Sequence, residues 1–108
     1  MTNPSEYRLT RSAECDLRDI WMYTFETWGE EQADRYTQGL KNCCEKVVKN
    51  PSLGKLVNEI GAGLRVSHCQ HHYLFYLTDN KRIMIVGILH EKMDLIQRLQ
   101  ERIHGRRS

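Results

Sequence analysis

The most apolar stretch of the chain, Ile83 to Leu89, predicts a buried β-strand. It carries no charged side chain, is rich in β-branched residues and is too short for a buried helix. A strand covered on both faces needs other strands beside it and helices over it. His90, a titratable residue, follows where such a strand reaches solvent. We therefore expect a functional site at this rim of the sheet.

Two earlier stretches have the apolar spacing of helices. Apolar residues recur every three or four positions from Ala13 to Trp28, and the same spacing returns from Ala33 to Val47. Thr10 is expected to cap the first helix and Gly29 to end it. Because so little chain separates the two helices, we expect an antiparallel helical hairpin that covers the sheet.

The remaining elements are shorter. Alternating or continuous apolar residues predict three further strands: 6–10, 64–69 and 72–78. A C-terminal helix is predicted by apolar residues spaced by three or four: Met93, Ile96, Leu99 and Ile103. The expected fold class is therefore α+β, a helical hairpin packed on a small antiparallel β-sheet, in the order β-α-α-β-β-β-α.

Length and charge limit the functional class. The 108 residues form one domain, 1–108, in which 1–5 and 104–108 are expected to be loose tails. Sixteen basic and 14 acidic side chains leave far less excess positive charge than a protein that wraps nucleic acid carries, and we expect no direct sequence-specific nucleic-acid binding. Neither a secretory signal nor a membrane-spanning run is evident, so we expect a cytoplasmic protein without a membrane partner.

Cysteine and histidine placement does not predict a metal site. The adjacent Cys43 and Cys44 cannot bridge each other, and the four cysteines are expected to be reduced, buried residues. The neighbouring His71 and His72 point to opposite faces of a strand, and His68 with His72 lacks a third ligand. We expect neither a metal nor a cofactor.

Seven motifs occur in series along the chain: Thr10-x-x-Ala13-x-x-Asp16-Leu17-x-x-Ile20, Trp28-Gly29, Gln32-Ala33-x-x-Tyr36, Asn50-Pro51-x-x-Gly54, Gly63-Leu64-Arg65, His72-x-x-Phe75-Tyr76 and Ile88-Leu89-His90-x-x-Met93-Asp94. Together they resemble the ParE family of bacterial toxins, a branch of the RelE/ParE superfamily. The resemblance implies the toxin of a type II toxin–antitoxin system, neutralised by a ParD-like antitoxin. It further implies that the toxin poisons DNA gyrase, blocks replication and is not itself an enzyme.

One position departs from the family pattern. Gly87 stands where many relatives carry arginine in the pattern Arg-Ile-Leu-His, which removes a cation from the sheet face. Arg65, by contrast, matches the family's Gly-Leu-Arg. The departure keeps open a third class of function, an interaction module that is no longer toxic.

The main alternative is RelE-like cleavage of mRNA on the ribosome. That reaction needs a general base, a general acid and cations to stabilise a phosphorane. Arg65, His90 and either Arg82 or Lys81 are available, but the last tyrosine is Tyr76, so the C-terminal segment has none to act as acid or base.

The candidate residues form two groups. Gyrase binding and toxicity are assigned to four residues: Arg65, His90, Met93 and Asp94. Antitoxin binding is assigned to four others, on the helical hairpin: Trp21, Trp28, Tyr36 and Leu40. His90 has a second interpretation, as a structural residue that caps the strand and hydrogen-bonds the loop before Met93. Arg65 also has one, as the partner of an internal acid.

Overall fold

A computed structural model describes residues 6–79, 81–93, 99, 101 and 102 of the chain. Its elements, in order, are β1 (Glu6–Leu9), α1 (Arg11–Trp28), α2 (Glu30–Lys49), β2 (Lys55–Leu56), β3 (Arg65–Cys69), β4 (His72–Thr78) and β5 (Arg82–His90). The α+β class and the helical hairpin are confirmed, and the element order becomes β-α-α-β-β-β-β.

The predicted C-terminal helix falls mostly outside the described residues. Ile96 and Ile103, which carry half of its apolar spacing, lie there. Leu99, Glu101 and Arg102 are described and have helical backbone. No C-terminal helix is among the elements of the described part of the chain, so the order ends in a strand.

The sheet is mixed, and the prediction of a purely antiparallel sheet was wrong. Its strand order is β1-β5-β4-β3-β2, and β1 pairs parallel with β5 from Glu6↔Arg82 to Leu9↔Ile85. The two-residue strand β2 is too short to leave an alternating pattern in the sequence. Each of β2, β3 and β4 is antiparallel to the strand that follows it, so β5 runs opposite to β2. Since β1 also runs opposite to β2, β1 and β5 are parallel.

The helical hairpin turns at one residue. The Thr10 hydroxyl accepts a hydrogen bond from the Ala13 N–H at 3.2 Å, so the predicted N-cap of α1 is confirmed. Gly29 separates α1 from α2 with a φ of 97°, in the left-handed region that a side chain disfavours. The reversal is sharp enough to lay the two helices side by side over the sheet.

Apolar residues are buried on both faces of the sheet. The face under the helices is filled from α1, α2, β4 and β5: Ala13, Leu40, Cys44, Val47, Leu74, Tyr76, Ile83, Ile85 and Ile88. A smaller cluster covers the opposite face: Val57, Leu64, Phe75, Leu89 and Leu99. Since β5 contributes to both clusters, the most apolar stretch of the sequence is an interior strand, as predicted. No helix in the described part of the chain is long and apolar enough to span a bilayer.

The edge of β5 beyond β1 is completed by an ion pair. β1 stops pairing at Leu9, so among the described residues no strand lies beside the Val86 C=O and the Ile88 N–H of β5. The Ile88 N–H donates to Asp16 Oδ2 at 3.0 Å, and Arg102 Nη1 donates to the Val86 C=O at 3.2 Å. Asp16 and Arg102 also bind each other through two hydrogen bonds of 2.8 Å. The pair therefore takes the place of a strand along this edge.

Gly87 makes room for this pair. Phe75 pairs with Gly87 and Tyr76 with Ile85, so a β-bulge interrupts the strand next to Gly87. A Cβ atom at Gly87 would lie 2.9 Å from Arg102 Nη1. Gly87 removes one cation from the sheet face relative to the family pattern, and Arg102 places a guanidinium at that point. Its pKa is raised by the hydrogen bonds to Asp16.

The cysteines also differ from expectation. Cys43 of α2 and Cys69 of β3 form a disulfide, although four reduced cysteines were predicted. Their spacing in sequence, 26 residues, gave no sign that the fold brings them together. Cys44 is free and buried, and burial raises its pKa to about 12, which keeps it protonated and unreactive.

We predict that substitution of Gly87 lowers the stability of the fold by disturbing the contact between Arg102 and Asp16. Gly87→Ala should lower the free energy of unfolding by about 1 kcal/mol, because the new methyl group displaces the guanidinium from Asp16. In an Arg102→Ala background the same substitution should cost nothing, since the space is then open. Chemical denaturation of the four proteins of this double-mutant cycle measures the coupling. Equal costs in both backgrounds would contradict the prediction.

Candidate binding groove

An open groove lies between the helical hairpin and the end of the sheet where β4 begins and β5 ends. Its volume is about 910 Å³. Its lining comes from both helices, the β3–β4 turn, two strands and the segment after β5: Asp19, Ile20, Tyr23, Thr24, Trp28, Gln32, Tyr36, Gln70, His71, His72, His90 and Met93. The predicted rim at His90 is thus part of a larger concave site.

The walls of the groove carry aromatic side chains that are exposed to solvent. Trp28 is 72% exposed and Tyr23 is 69% exposed, although both are large apolar side chains. Ile20, Thr24 and Trp28 follow one another at intervals of four along α1, so one helical face carries them all. Exposed aromatic side chains around a concavity are typical of a surface that a partner covers.

Two imidazoles meet in the groove. His72 and His90 are opposite each other in the β4–β5 register, with ring centroids 5.1 Å apart at 84°. His72 is 8% exposed, whereas His90 is half-buried. Each imidazole has two ring nitrogens that can take part in hydrogen bonds.

The protonation of His72 follows from its partners. The Tyr36 hydroxyl accepts a hydrogen bond from the His71 N–H at 3.0 Å and lies 2.7 Å from His72 Nδ1. We assign the hydroxyl hydrogen to the contact with Nδ1, because the oxygen then both accepts and donates one hydrogen bond. With Nδ1 accepting, the ring proton of His72 is on Nε2. Burial, and then the neighbouring His90, lowers the pKa of His72 to about 4. The imidazole is therefore neutral at physiological pH.

His90 makes the contacts of a structural residue and also lines the groove. The Lys92 N–H donates to His90 Nδ1 at 3.1 Å, and the Met93 N–H donates to the His90 C=O at 3.0 Å. These bonds shape the turn after β5, as the structural interpretation of His90 predicted. They also leave the Nε2 side of the ring for contacts other than this turn.

A carboxylate joins two further histidines beside the groove. Glu91 accepts from His68 Nε2 at 2.8 Å and from His71 Nδ1 at 3.3 Å. These hydrogen bonds lower the pKa of Glu91. Within the described residues, no group of three or more His, Cys, Asp or Glu side chains could hold a metal ion.

The structure brings together four residues from the two predicted groups. Trp28 and Tyr36, assigned to antitoxin binding, line the same groove as His90 and Met93, assigned to toxicity. The two predicted surfaces therefore overlap at this site. Asp94, which follows Met93, lies outside the described residues.

Two residues assigned to antitoxin binding lie elsewhere. Leu40 is 1% exposed in the core under the hairpin, so its surface role is corrected to packing. Trp21 stacks on Phe25, with ring centroids 5.0 Å apart, and donates to Asp34 at 2.9 Å. It is not among the residues that line the groove.

Arg65 lies at the opposite end of the sheet. It pairs with Tyr76 in the β3–β4 register, whereas His90 pairs with His72, four positions away along β4. That spacing is roughly 13 Å along the strand. Arg65 Nη1 donates to the Gly54 C=O at 2.7 Å, which holds the loop after α2 against the sheet. A backbone carbonyl is thus the partner seen here, where the structural interpretation expected an internal acid.

Several groove residues were not singled out from the sequence. In the sequence His72 was considered only as a metal ligand, and its contact with Tyr36 joins positions 36 residues apart. Tyr23 lies between the apolar positions that define the buried stripe of α1, so the helical spacing placed it on the solvent side. An aromatic residue on the side of a helix that the spacing assigns to solvent was the signal in the sequence that could have pointed to Tyr23 as a binding residue.

Comparison with known proteins identifies the class to which this fold belongs. Residues 7–95 match a family described as "ParE toxin of type II toxin-antitoxin system, parDE". Toxin ParE of Escherichia coli is 39% identical over 100 residues, covering 92% of this chain and 97% of that protein. Toxin ParE1 of Caulobacter vibrioides is 36% identical over 88 residues, covering 82% and 91%.

A solved structure shares the fold. A chain of the "Chromosomal ParDE TA system from P. aeruginosa" superposes with a TM-score of 0.70 at 20% identity, over 82% of this chain and 96% of that one. The fold and the sequence matches together define a toxin of a type II toxin–antitoxin system. The chain belongs to the ParE toxin family.

We predict that His72 makes stability depend on pH. Its pKa is lowered from 6.5 in the unfolded chain to about 4 in the folded protein, so below pH 6.5 the unfolded state takes up the proton more readily. The contribution of His72 is complete above pH 6.5 and is lost as the pH falls towards 4. His72→Gln should flatten the profile.

Thermal unfolding of both proteins between pH 7.5 and 4.5 measures this effect. Every other ionisable group is the same in the two proteins, so the difference between the two profiles reports His72. Parallel profiles would show that His72 is not the group responsible.

Proposed function

We propose that this ParE-family protein poisons DNA gyrase and is neutralised by a ParD-like antitoxin that binds the aromatic groove. The overlap of the two predicted surfaces in one groove carries the proposal. An antitoxin segment seated against Trp28 and Tyr36 also covers His90 and Met93. Binding of the antitoxin and access of the target then exclude each other.

The groove has the properties that antitoxin capture requires. Its aromatic walls offer apolar area that a segment with little structure of its own can cover as it folds. Trp28, at 72% exposure, is the most exposed large apolar side chain of the described residues, so its burial by a partner would remove a large apolar area from water. The matched family and the related P. aeruginosa structure are both described as parts of ParDE systems, which supports ParD as the antitoxin class.

A role without catalysis fits the placement of the cations. Arg65 is tied to the Gly54 carbonyl, and Arg82 lies 3.5 Å from Glu6, both at the end of the sheet away from His90. Cleavage of mRNA needs a base, an acid and cations converging on one phosphate. The described residues do not bring these groups together around His90, which favours inhibition of a target over RelE-like cleavage.

We expect Trp28 to anchor the antitoxin. Trp28→Ala should weaken binding of the ParD-like antitoxin by at least ~10-fold, because a large exposed apolar contact is lost. Leu56→Ala is the matched control, since Leu56 is 43% exposed on the short edge strand β2, far from the groove. Titration calorimetry measures both affinities. Equal affinity of the two variants would place the antitoxin elsewhere.

Gyrase poisoning is tested by expression without the antitoxin. Filamentation with induction of the DNA-damage response is expected, together with cleaved DNA in a purified gyrase assay. Arg65→Ala should reduce toxicity more than antitoxin binding, whereas Arg35→Ala, at an exposed ion pair on α2, should change neither. Rapid loss of translation with gyrase unaffected would instead indicate mRNA cleavage, and normal growth would indicate an interaction module.

A further inference from the structure

We propose that the imidazoles of His72 and His90 form a pair of hydrogen-bond donors in the groove, which binds uncharged carbonyl oxygens of the antitoxin segment. This inference rests on the proposed binding of a ParD-like antitoxin in the groove, and it states what that segment must offer. The acceptors are backbone or side-chain amide carbonyls, not carboxylates.

The donors follow from the hydrogen bonds already made. Nδ1 of His72 is occupied by the Tyr36 hydroxyl, and Nδ1 of His90 is occupied by the Lys92 N–H. A ring nitrogen that accepts a hydrogen bond carries no proton, so the proton of each ring is on Nε2. Across the described residues, no hydrogen bond to either Nε2 atom is formed.

An occupant must satisfy these donors when it displaces water from the groove. A polar N–H that is desolvated without an acceptor costs free energy, and an apolar segment alone would leave both rings in that condition. A pair of oxygen acceptors removes this cost. The rings thereby select the position and register of the segment, while Trp28 and Tyr23 provide apolar contact area.

The charges around the rings favour an uncharged acceptor. Asp19 lines the groove, and Glu91 binds His71 on the adjoining turn. A carboxylate entering beside these acids would meet repulsion, and it would be desolvated against neutral rings. A peptide carbonyl meets neither penalty.

A peptide segment fits the shape better than a small molecule. The groove, at about 910 Å³, is near the upper end of the volumes that enclose small ligands. Its aromatic walls are also largely open to solvent, so a small ligand would leave them wet. Peptide carbonyls are free at the last turn of a helix and along an extended segment.

Side-chain NMR of the histidines tests the proposal directly. Toxin labelled with ¹⁵N-histidine is compared alone and in its complex with the ParD-like antitoxin. We expect both rings to remain neutral Nε2–H tautomers in both states, with the Nε2 protons shifted downfield and protected from exchange in the complex. Conversion of either ring to imidazolium would indicate a carboxylate, and unchanged signals would exclude contact; either result overturns the proposal.

Matched variants test the energetic role of the donor. His90→Phe should weaken antitoxin binding by at least ~10-fold, whereas His90→Gln, whose amide N–H can replace Nε2–H, should stay within ~3-fold of the unaltered toxin. His68→Phe is the control, because His68 is exposed and does not line the groove. Equal binding by the Phe and Gln variants would contradict the proposal.

Antitoxin binding in the groove and carbonyl binding by the two histidines can be disproved separately. If the unaltered toxin forms no complex with its ParD-like antitoxin, the proposed function fails and this inference with it. If the complex forms, but the histidine signals and the His90→Phe affinity do not change, only the carbonyl-binding pair is wrong. The NMR comparison needs no substitution, so the outcome does not depend on whether a variant folds.

Discussion

The ion pair between Asp16 and Arg102 holds together parts of the chain that the sheet alone leaves apart. It joins α1 to the region near the C-terminus and satisfies two backbone groups of β5 that no strand reaches. Both side chains are largely buried, so each depends on the other for compensation of its charge. Leu99, three residues before Arg102, is fully buried on the sheet face opposite the helices. The second apolar cluster is therefore completed from the same region of the chain.

The two ends of the sheet differ in how closely they are packed. At the end near Arg65, the Tyr76 hydroxyl donates to the Pro51 C=O and accepts from the Gly54 N–H, so the loop after α2 is firmly held. At the other end, the Tyr36–His72 contact joins α2 to the start of β4, and large aromatic side chains remain exposed. The first end of the sheet is therefore closed by the loop after α2, whereas the second end leaves large apolar area exposed.

Local patterns in the sequence predicted what depends on neighbours along the chain. The interior strand, both helices, the cap at Thr10 and the turn at Gly29 each have a short-range physical cause. The parallel pairing of β1, the Cys43–Cys69 disulfide and the guanidinium over Gly87 depend on contacts between distant residues. The same limit applied to the groove: His90 was found at the end of its strand, but its partner His72 required the β4–β5 register.

The disulfide between Cys43 and Cys69 has a consequence for handling the protein. A denaturant that strips a toxin from its antitoxin does not break a covalent bond, so the released chain keeps a closed loop of 26 residues. On removal of the denaturant, α2 and β3 begin already tethered, which lowers the entropic cost of renewing their contact. Toxin recovered without reductant should therefore regain its shape more readily than toxin recovered with it.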